Sequence, residues 1–352
     1  IGLLNVIFRG LVFGIDFKGG TEIVLEFDKP ISISEIRSDV ESLGLGNIEL
    51  KTFGSERGIL FKTELQELPR EIFPKVAQSI NTQIEKSFPG LERKIVDSGA
   101  TSITYQFANP DTTDRIVNLL NSSGFEVSEV SAEPNNTQAS VNIGIASWIK
   151  ENLREKLKDN PFKVLKEEKV GPKVGKELKE DAVIAILLSL VVILIYLGFR
   201  FKFIFAFGAV LALFHDVLIT LGLYSVLYNV IPGLNLEINL TIVAAFLTLV
   251  GYSINDTVIV FDRVREYLKV HKTMPIMEVM NLAINKTMSR TILTGGTTLM
   301  TVFVLLLFGG EVLRAFAFTL FFGIVIGTYS SIFVASALVL EYAYKTKQKV
   351  QF

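Results

Sequence analysis

The stretch that most restricts what this chain can fold into is Ile238 to Asp262, INLTIVAAFLTLVGYSINDTVIVFD. Ile238 to Asn255 is eighteen residues without a charge, long enough for a membrane-spanning helix. Asp256 then stands inside the same apolar run, with Thr257 to Phe261 uncharged after it. At helical rise that places it roughly 7–9 Å short of the end of the apolar stretch. An ionised carboxylate at that depth is costly, so it must pair, face water or take up a proton. Thr241, Thr248, Tyr252, Asn255 and Asp256 recur at helical spacing. This predicts one polar stripe turned to other helices or to a water-filled cavity. The stripe reads either as a structural hydrogen-bonded cluster or as a proton or ion site.

Other apolar runs surround it. Ala182–Phe199 has no charge, and Phe203–Leu236 is apolar except for His215 and Asp216. Thr291–Gly310 and Ala315–Leu340 complete the set. Ile1–Phe13 is apolar but short and carries Arg9; it reads as the exit end of a first, truncated helix. No small-residue cleavage site follows, which argues against a signal peptide. The expectation is a polytopic α-helical membrane protein of six spans. Arg200, Lys202, Arg263, Arg265, Lys269, Lys272, Lys286 and Arg290 occupy one set of connections, and Lys345, Lys347 and Lys349 the tail. The opposite segment Asn229–Asn239 has no Lys or Arg. Both termini are therefore expected in the cytoplasm, with the region between the first two spans outside. Residues 1–13 end the first helix, 14–170 form the external domain, and 171–352 hold the remaining spans with a cytoplasmic loop at 262–290.

GIDFKGGT at 14–21, with Asp16, Gly19 and Gly20, predicts a tight turn leading into a strand; a phosphate cradle is a poor fit because no helix start follows. Thr21, Phe27, Pro30 and Gly44 recur 80 residues later as Thr101, Phe107, Pro110 and Gly124. Strand and helix patterns repeat at the same offset, which predicts two repeats, 21–97 and 101–170, each βαββαβ in the ferredoxin-like order. The external domain is thus expected to be α+β. One enlarged domain with an insertion is the alternative. Glu167–Glu180, with Gly171 and Pro172 at its centre, reads as a linker or interfacial elbow.

Within the membrane part, Gly208, Ala212, Asp216 and Thr220 share a face, with His215 beside it. Thr273 reads as the N-cap of an interfacial helix whose apolar face is Ile276, Val279, Met280, Ala283 and Ile284. The fifth span is expected to open at Arg290, followed by Thr294, Thr297 and Thr301. The last carries Gly323 and Gly327, then Ser330 and Ser331, a close-packing face. Metal and redox chemistry have little to work with, since cysteine is absent and only His215 and His271 are histidines. The net charge of −1 argues against nucleic acid. No catalytic constellation is present, so the chain is expected to be no enzyme and to need no cofactor beyond a proton gradient.

GIDFKGGT, VGPKVG at 170–175, the His215-Asp216 pair, GYSINDTVIVFDRVRE at 251–266 and SRTILTGGTTLM at 289–300 together resemble the SecF family. The resemblance implies an RND-superfamily bundle in the bacterial cytoplasmic membrane, paired with SecD. It implies late protein export, after an export motor ATPase has started a preprotein through the SecYEG channel. The proton-motive force would move the external domain, which would pull or hold the emerging chain. Asp256 and Arg290 match the residues that matter for proton flow, and Asp216, His215 and Asn255 are grouped with them as a candidate relay. Gly251, Gly295 and Gly296 fall in the same motifs as packing residues. Such families usually carry one ferredoxin-like unit, so two would be a departure. Alternatives are an RND-type transporter of small hydrophobic molecules or lipids, and a scaffold without proton flux.

Overall fold

The computed structural model describes residues 2–99, 101–131, 136–231 and 234–346. Ile1, Lys347 and Lys349 lie outside the described residues. The chain divides into a unit of Lys18–Lys176 and a unit of Ile1–Phe17 with Glu177–Phe352.

Two short helices, α1 (Gly2–Arg9) and α2 (Ile15–Lys18), precede the first unit. Its elements are β1 (Gly20–Phe27), α3 (Ile33–Glu41), β2 (Glu49–Phe53), β3 (Ser55–Thr63), α4 (Phe73–Ser87) and β4 (Lys94–Ser98). The same order follows in β5 (Ser102–Gln106), α5 (Pro110–Ser123), β6 (Glu126–Glu129), β7 (Gln138–Asn142), α6 (Ile145–Lys156) and β8 (Phe162–Val170). Local chemistry sets the boundaries. Ser32 and Glu35 form a reciprocal capping box at the start of α3. Asn109 caps α5, Pro110 takes its first turn, and Gly124 ends it in the left-handed conformation.

The strands form two antiparallel four-stranded sheets, ordered β2-β3-β1-β8 and β4-β5-β7-β6. This corrects the expectation of two self-contained repeats. The fourth strand of each copy has been exchanged: β4 lies beside β5, and β8 beside β1. The short connection 99–101 accounts for it. Gly99 N donates to Ser102 O at 2.9 Å, folding β4 straight back on β5 as a hairpin. The helix before β8 travels with it, since Lys156 on α6 reaches Asp39 and Ser42 at the end of α3 at 2.9 and 3.0 Å. One continuous core results, with Ile23, Ile36, Ile80, Tyr105, Ile116 and Ile149 all at most 1% exposed. Buried Lys150 ties β6 to β8 through Glu126 at 3.0 Å and Glu167 at 2.8 Å.

The exchange is open to a direct check because the chain lacks cysteine. Glu26 and Lys163 are opposite each other in the β1–β8 ladder. Glu26→Cys with Lys163→Cys should oxidise to an intramolecular disulfide, seen as a shift on non-reducing gels. Glu26→Cys with Lys94→Cys, the pairing expected of self-contained repeats, should not.

Between α4 and α6, the Glu151 carboxylate is 3% exposed and accepts from the Ser79 hydroxyl. Burial pushes it above its ordinary 4.5, against the Ser79 bond, which lowers it, and with Glu155 repulsion adding to the rise. The folded state therefore holds this proton more tightly than the unfolded chain. The stability it contributes is complete below the unfolded value and is lost as pH rises through the folded one. Glu151→Gln should slow hydrogen exchange of the α6 amides in the full chain at about pH 7, with the difference fading towards about pH 4.

The membrane unit contains α7 (Pro172–Arg200), α8 (Phe203–Leu227), α9 (Leu240–Val270), α10 (Ile276–Phe308) and α11 (Gly310–Ser330). The last continues through a π-helical turn, Ser331–Ala335, into α12 (Ser336–Thr346). Five of the described helical stretches are long and apolar enough to cross a membrane, the fifth being Leu313–Lys345. The short α1 packs on α8, where a β-carbon at Gly2 would fall 2.9 Å from Gly222.

Three boundaries differ from expectation. The 167–180 stretch is no linker: β8 runs to Val170 and α7 starts at Pro172, a position whose missing N–H a first helical turn does not need. The 262–290 loop shrinks to a few residues, because α9 continues to Val270 and α10 starts at Ile276. Val264, Val279, Met280 and Ala283 continue the apolar spacing and are fully buried in one cluster with Phe205 and Phe261. So the predicted surface helix is the inner part of α10, with Pro275 rather than Thr273 at its cap position.

Candidate proton-relay site

Four helical segments converge on two carboxylates. Asp216 on α8 is 1% exposed. Its Oδ2 accepts from Ser253 Oγ of α9 at 2.7 Å and from Ser330 Oγ of α11 at 2.8 Å. Its Oδ1 lies 3.0 Å from Nδ1 of His215, whose ring is one-third exposed. Asp256, one turn beyond Ser253 on α9, is 2% exposed. Its Oδ2 accepts from Thr328 Oγ1 at 3.4 Å, long for a hydroxyl donor. Thr328 in turn sits against Gly295 of α10, 3.6 Å from where a β-carbon would stand.

The close approach is set by Gly323 and Gly327. A β-carbon at Gly327 would lie 2.9 Å from Cβ and Oγ of Ser253, and one at Gly323 would lie 2.6 Å from Leu249. The small face of α11 therefore lets its hydroxyls reach the acids. The acid-bearing α9 is itself anchored at its start. Asn239 Oδ1 accepts from Ile242 N at 2.9 Å, and Asp16 Oδ2 accepts from Leu240 N at 2.8 Å. A carboxylate at a helix N-terminus meets the positive end of its dipole. Asp16 of the GIDFKGGT motif thus holds the helix that carries Asp256. In the same motif Gly20 has φ +133°, and a β-carbon there would overlap Thr63 O at 2.3 Å, so only glycine fits. Gly19 lies against Pro172, 3.1 Å from its would-be β-carbon, so the GIDFKGGT and VGPKVG motifs meet in space. Gly171 is the single residue between β8 and α7.

The predicted polar stripe of α9 divides. Asp256 points into the bundle with Ser253, whereas Thr248 and Asn255 are exposed. Arg290 stands well inside α10 and is exposed. Among the described residues it makes no ion pair with Asp256. A β-carbon at Gly251 or Gly296, both expected as packing residues, would meet no atom within 4 Å among the described residues. Thr294, Thr297 and Thr301 lie on the Arg290 side, exposed, each hydroxyl returned to a carbonyl of its own helix at 2.9 to 3.2 Å. Ser253 and Thr328 were not foreseen as ligands of the acids. A hydroxyl one turn before an intramembrane acid, and another directly after a small-residue motif, are the sequence signals that point to them.

A polytopic helical bundle with two buried carboxylates, joined to an α+β domain, is the class this fold and site define. Residues 149–345 match the family described as "Protein export membrane protein SecD/SecF, C-terminal", and residues 6–31 match the "SecD/SecF GG Motif". The protein translocase subunit SecF of Rhodothermus marinus is 39% identical over 97% of this chain and 86% of its own length. That of Koribacter versatilis is 35% identical over 94% of this chain and 82% of its own length. The crystal structure of SecDF from Thermus thermophilus, a translocon-associated membrane protein, superposes with a TM-score of 0.63 at 29% identity over 97% of this chain. The chain spans 36% of that SecDF chain. It belongs to the SecF family of protein translocase subunits. Because these SecF relatives align over nearly the whole chain, the second βαββαβ copy lies within their matched length and is no addition peculiar to this sequence.

Proposed function

We propose that this chain is the SecF subunit of the Sec export machinery, using the proton-motive force together with SecD to complete preprotein transfer. The observation that carries the reading is the buried Asp256, which accepts one long hydroxyl bond from Thr328 and makes no ion pair among the described residues. An intramembrane carboxylate so placed must pair, face water or take up a proton, and Arg290 of α10 is the cation that a helix rearrangement would bring to it. Alternating between these states is how a proton would be captured and released. The exposed row of Thr248, Asn255, Arg290, Thr294, Thr297 and Thr301, with Gly251 and Gly296 open beside it, supports a SecD-like helix as the neighbour on that face. Asp216 and His215 form a second station of the relay. The distribution of Lys and Arg supports cytoplasmic termini and an extracytoplasmic α+β domain that acts on the emerging chain beyond the SecYEG channel. The small-molecule transporter alternative is not favoured, since the SecF relatives are named as translocase subunits. Vesicles containing this chain and its SecD partner should show proton flux, and vesicles with either alone should not. Flux through this chain by itself, or none through the pair, would overturn the proposal.

A further inference from the structure

The last span carries donors to both acids immediately before its only described π-helical turn, Ser331–Ala335. Isolated π-turns inside α-helices recur at functional sites. Thr328 and Ser330 are separated by about 200° around the helix. Thr328 faces Asp256 of α9 and Gly295 of α10, while Ser330 faces Asp216 of α8. The two contacts are unequal: 2.8 Å for Ser330 and 3.4 Å for Thr328. Because the donors point to opposite sides, moving the end of α11 towards Asp256 draws Ser330 away from Asp216. A charged acid binds a hydroxyl more strongly than a neutral one, so the acid that is ionised attracts its own donor.

We propose that the end of the last span is a two-position toggle in which Thr328 and Ser330 alternately engage Asp256 and Asp216, with the π-turn absorbing the shift. This rests on the reading of both acids as proton sites. The alternatives are already provided for in the backbone. Ser330 Oγ also lies 3.3 Å from Gly327 O, giving it an acceptor when it leaves Asp216. Ser331 Oγ donates to Thr328 O at 3.0 Å and Ser336 Oγ to Ser331 O at 3.3 Å, so carbonyls released as the turn migrates keep hydroxyl partners. The movement has an outlet. Ala335 and Val339 pack against Gly208 of α8 and share a cluster with Val279, Met280 and Ala283 of α10. Thr328 and Ser330 act as positioning residues for the acids, and the π-turn makes the state of one acid felt at the other.

The test uses the complex of this chain with its SecD partner, following each acid by its carboxyl infrared band during a pH titration. Bands are assigned by their loss in Asp216→Asn and Asp256→Asn. In the unaltered chain, Asp256→Asn should shift the Asp216 midpoint. Deleting Phe333, an exposed residue within the π-turn, restores an α-helical count and leaves both flanks in register. In that variant, and in Ser330→Ala, both acids should still titrate, but the shift should vanish; Ser330→Thr should restore it. Direct electrostatic coupling would survive the Phe333 deletion, so a persistent shift overturns the toggle, as does no shift in the unaltered chain. Failure of the underlying reading looks different: proton flux in vesicles would then be indifferent to Asp256→Asn, whatever the titrations show.

Discussion

Asp256→Asn should reduce gradient-driven export to the level seen without a gradient, while the chain still folds and assembles with its partner. Asparagine keeps the shape and still accepts from Thr328, but it cannot exchange a proton. A proton moved across 100 mV carries about 2.3 kcal/mol. Losing that term from a step it drives corresponds to a loss of about fifty-fold. Export assayed in inverted vesicles, with and without an imposed gradient, measures it. Unaltered gradient dependence in the variant would remove Asp256 from the energy-coupling path. Because Arg290 is exposed and makes no ion pair with Asp256 among the described residues, Arg290→Lys should keep assembly and weaken coupling. Lysine retains the charge but not the planar fork that can grip a carboxylate.

The second large effect is expected at Gly327. A methyl group there would meet Cβ of Ser253 at 2.9 Å, and that atom cannot rotate away. Gly327→Ala should destabilise the bundle by about 1–3 kcal/mol through overpacking. It should also loosen both acids at once, because Ser253, Thr328 and Ser330 are seated by the same approach. Gly251→Ala is the contrasting control. A β-carbon there would meet no described atom within 4 Å, so it should leave the lone chain's thermal stability unchanged or slightly raised, by about 1 kcal/mol at most. A Gly327→Ala chain as stable as the parent would show that the helices separate without cost.

What the sequence disclosed depended on how local each signal was. The apolar strand pattern of Glu22–Phe27 and the helical spacing in Ser34–Leu43 are local, and β1 and α3 formed there. The charge-free runs marked the spans, and Asp216 proved to share a buried face with Gly208, Ala212 and Thr220. Partner choice between strands is not local. Arg93–Val96 reads as a strand whichever sheet receives it, and only the shortness of 99–101 decides for β5. Helix ends in a membrane protein were also misread, because charged residues such as Arg263 and Lys286 looked like loop. The apolar positions between them, Val264 and Ala283, held the helices together instead. Asn255 and Asp256 are adjacent in sequence yet separated by about 100° on the helix, so one stripe became two faces. The π-turn left no trace that composition or periodicity could expose.

The exchanged strands have a mechanical consequence. The α+β unit runs from Lys18 to Lys176, and its first strand begins at Gly20 and its last ends at Val170, two residues that are partners at one end of the β1–β8 ladder. Tension that separated the two tails would open that ladder one rung at a time, starting from this end. A displacement that carried both tails together would load none of its rungs. The α+β unit is thus weak against being unzipped and stiff when carried as a whole.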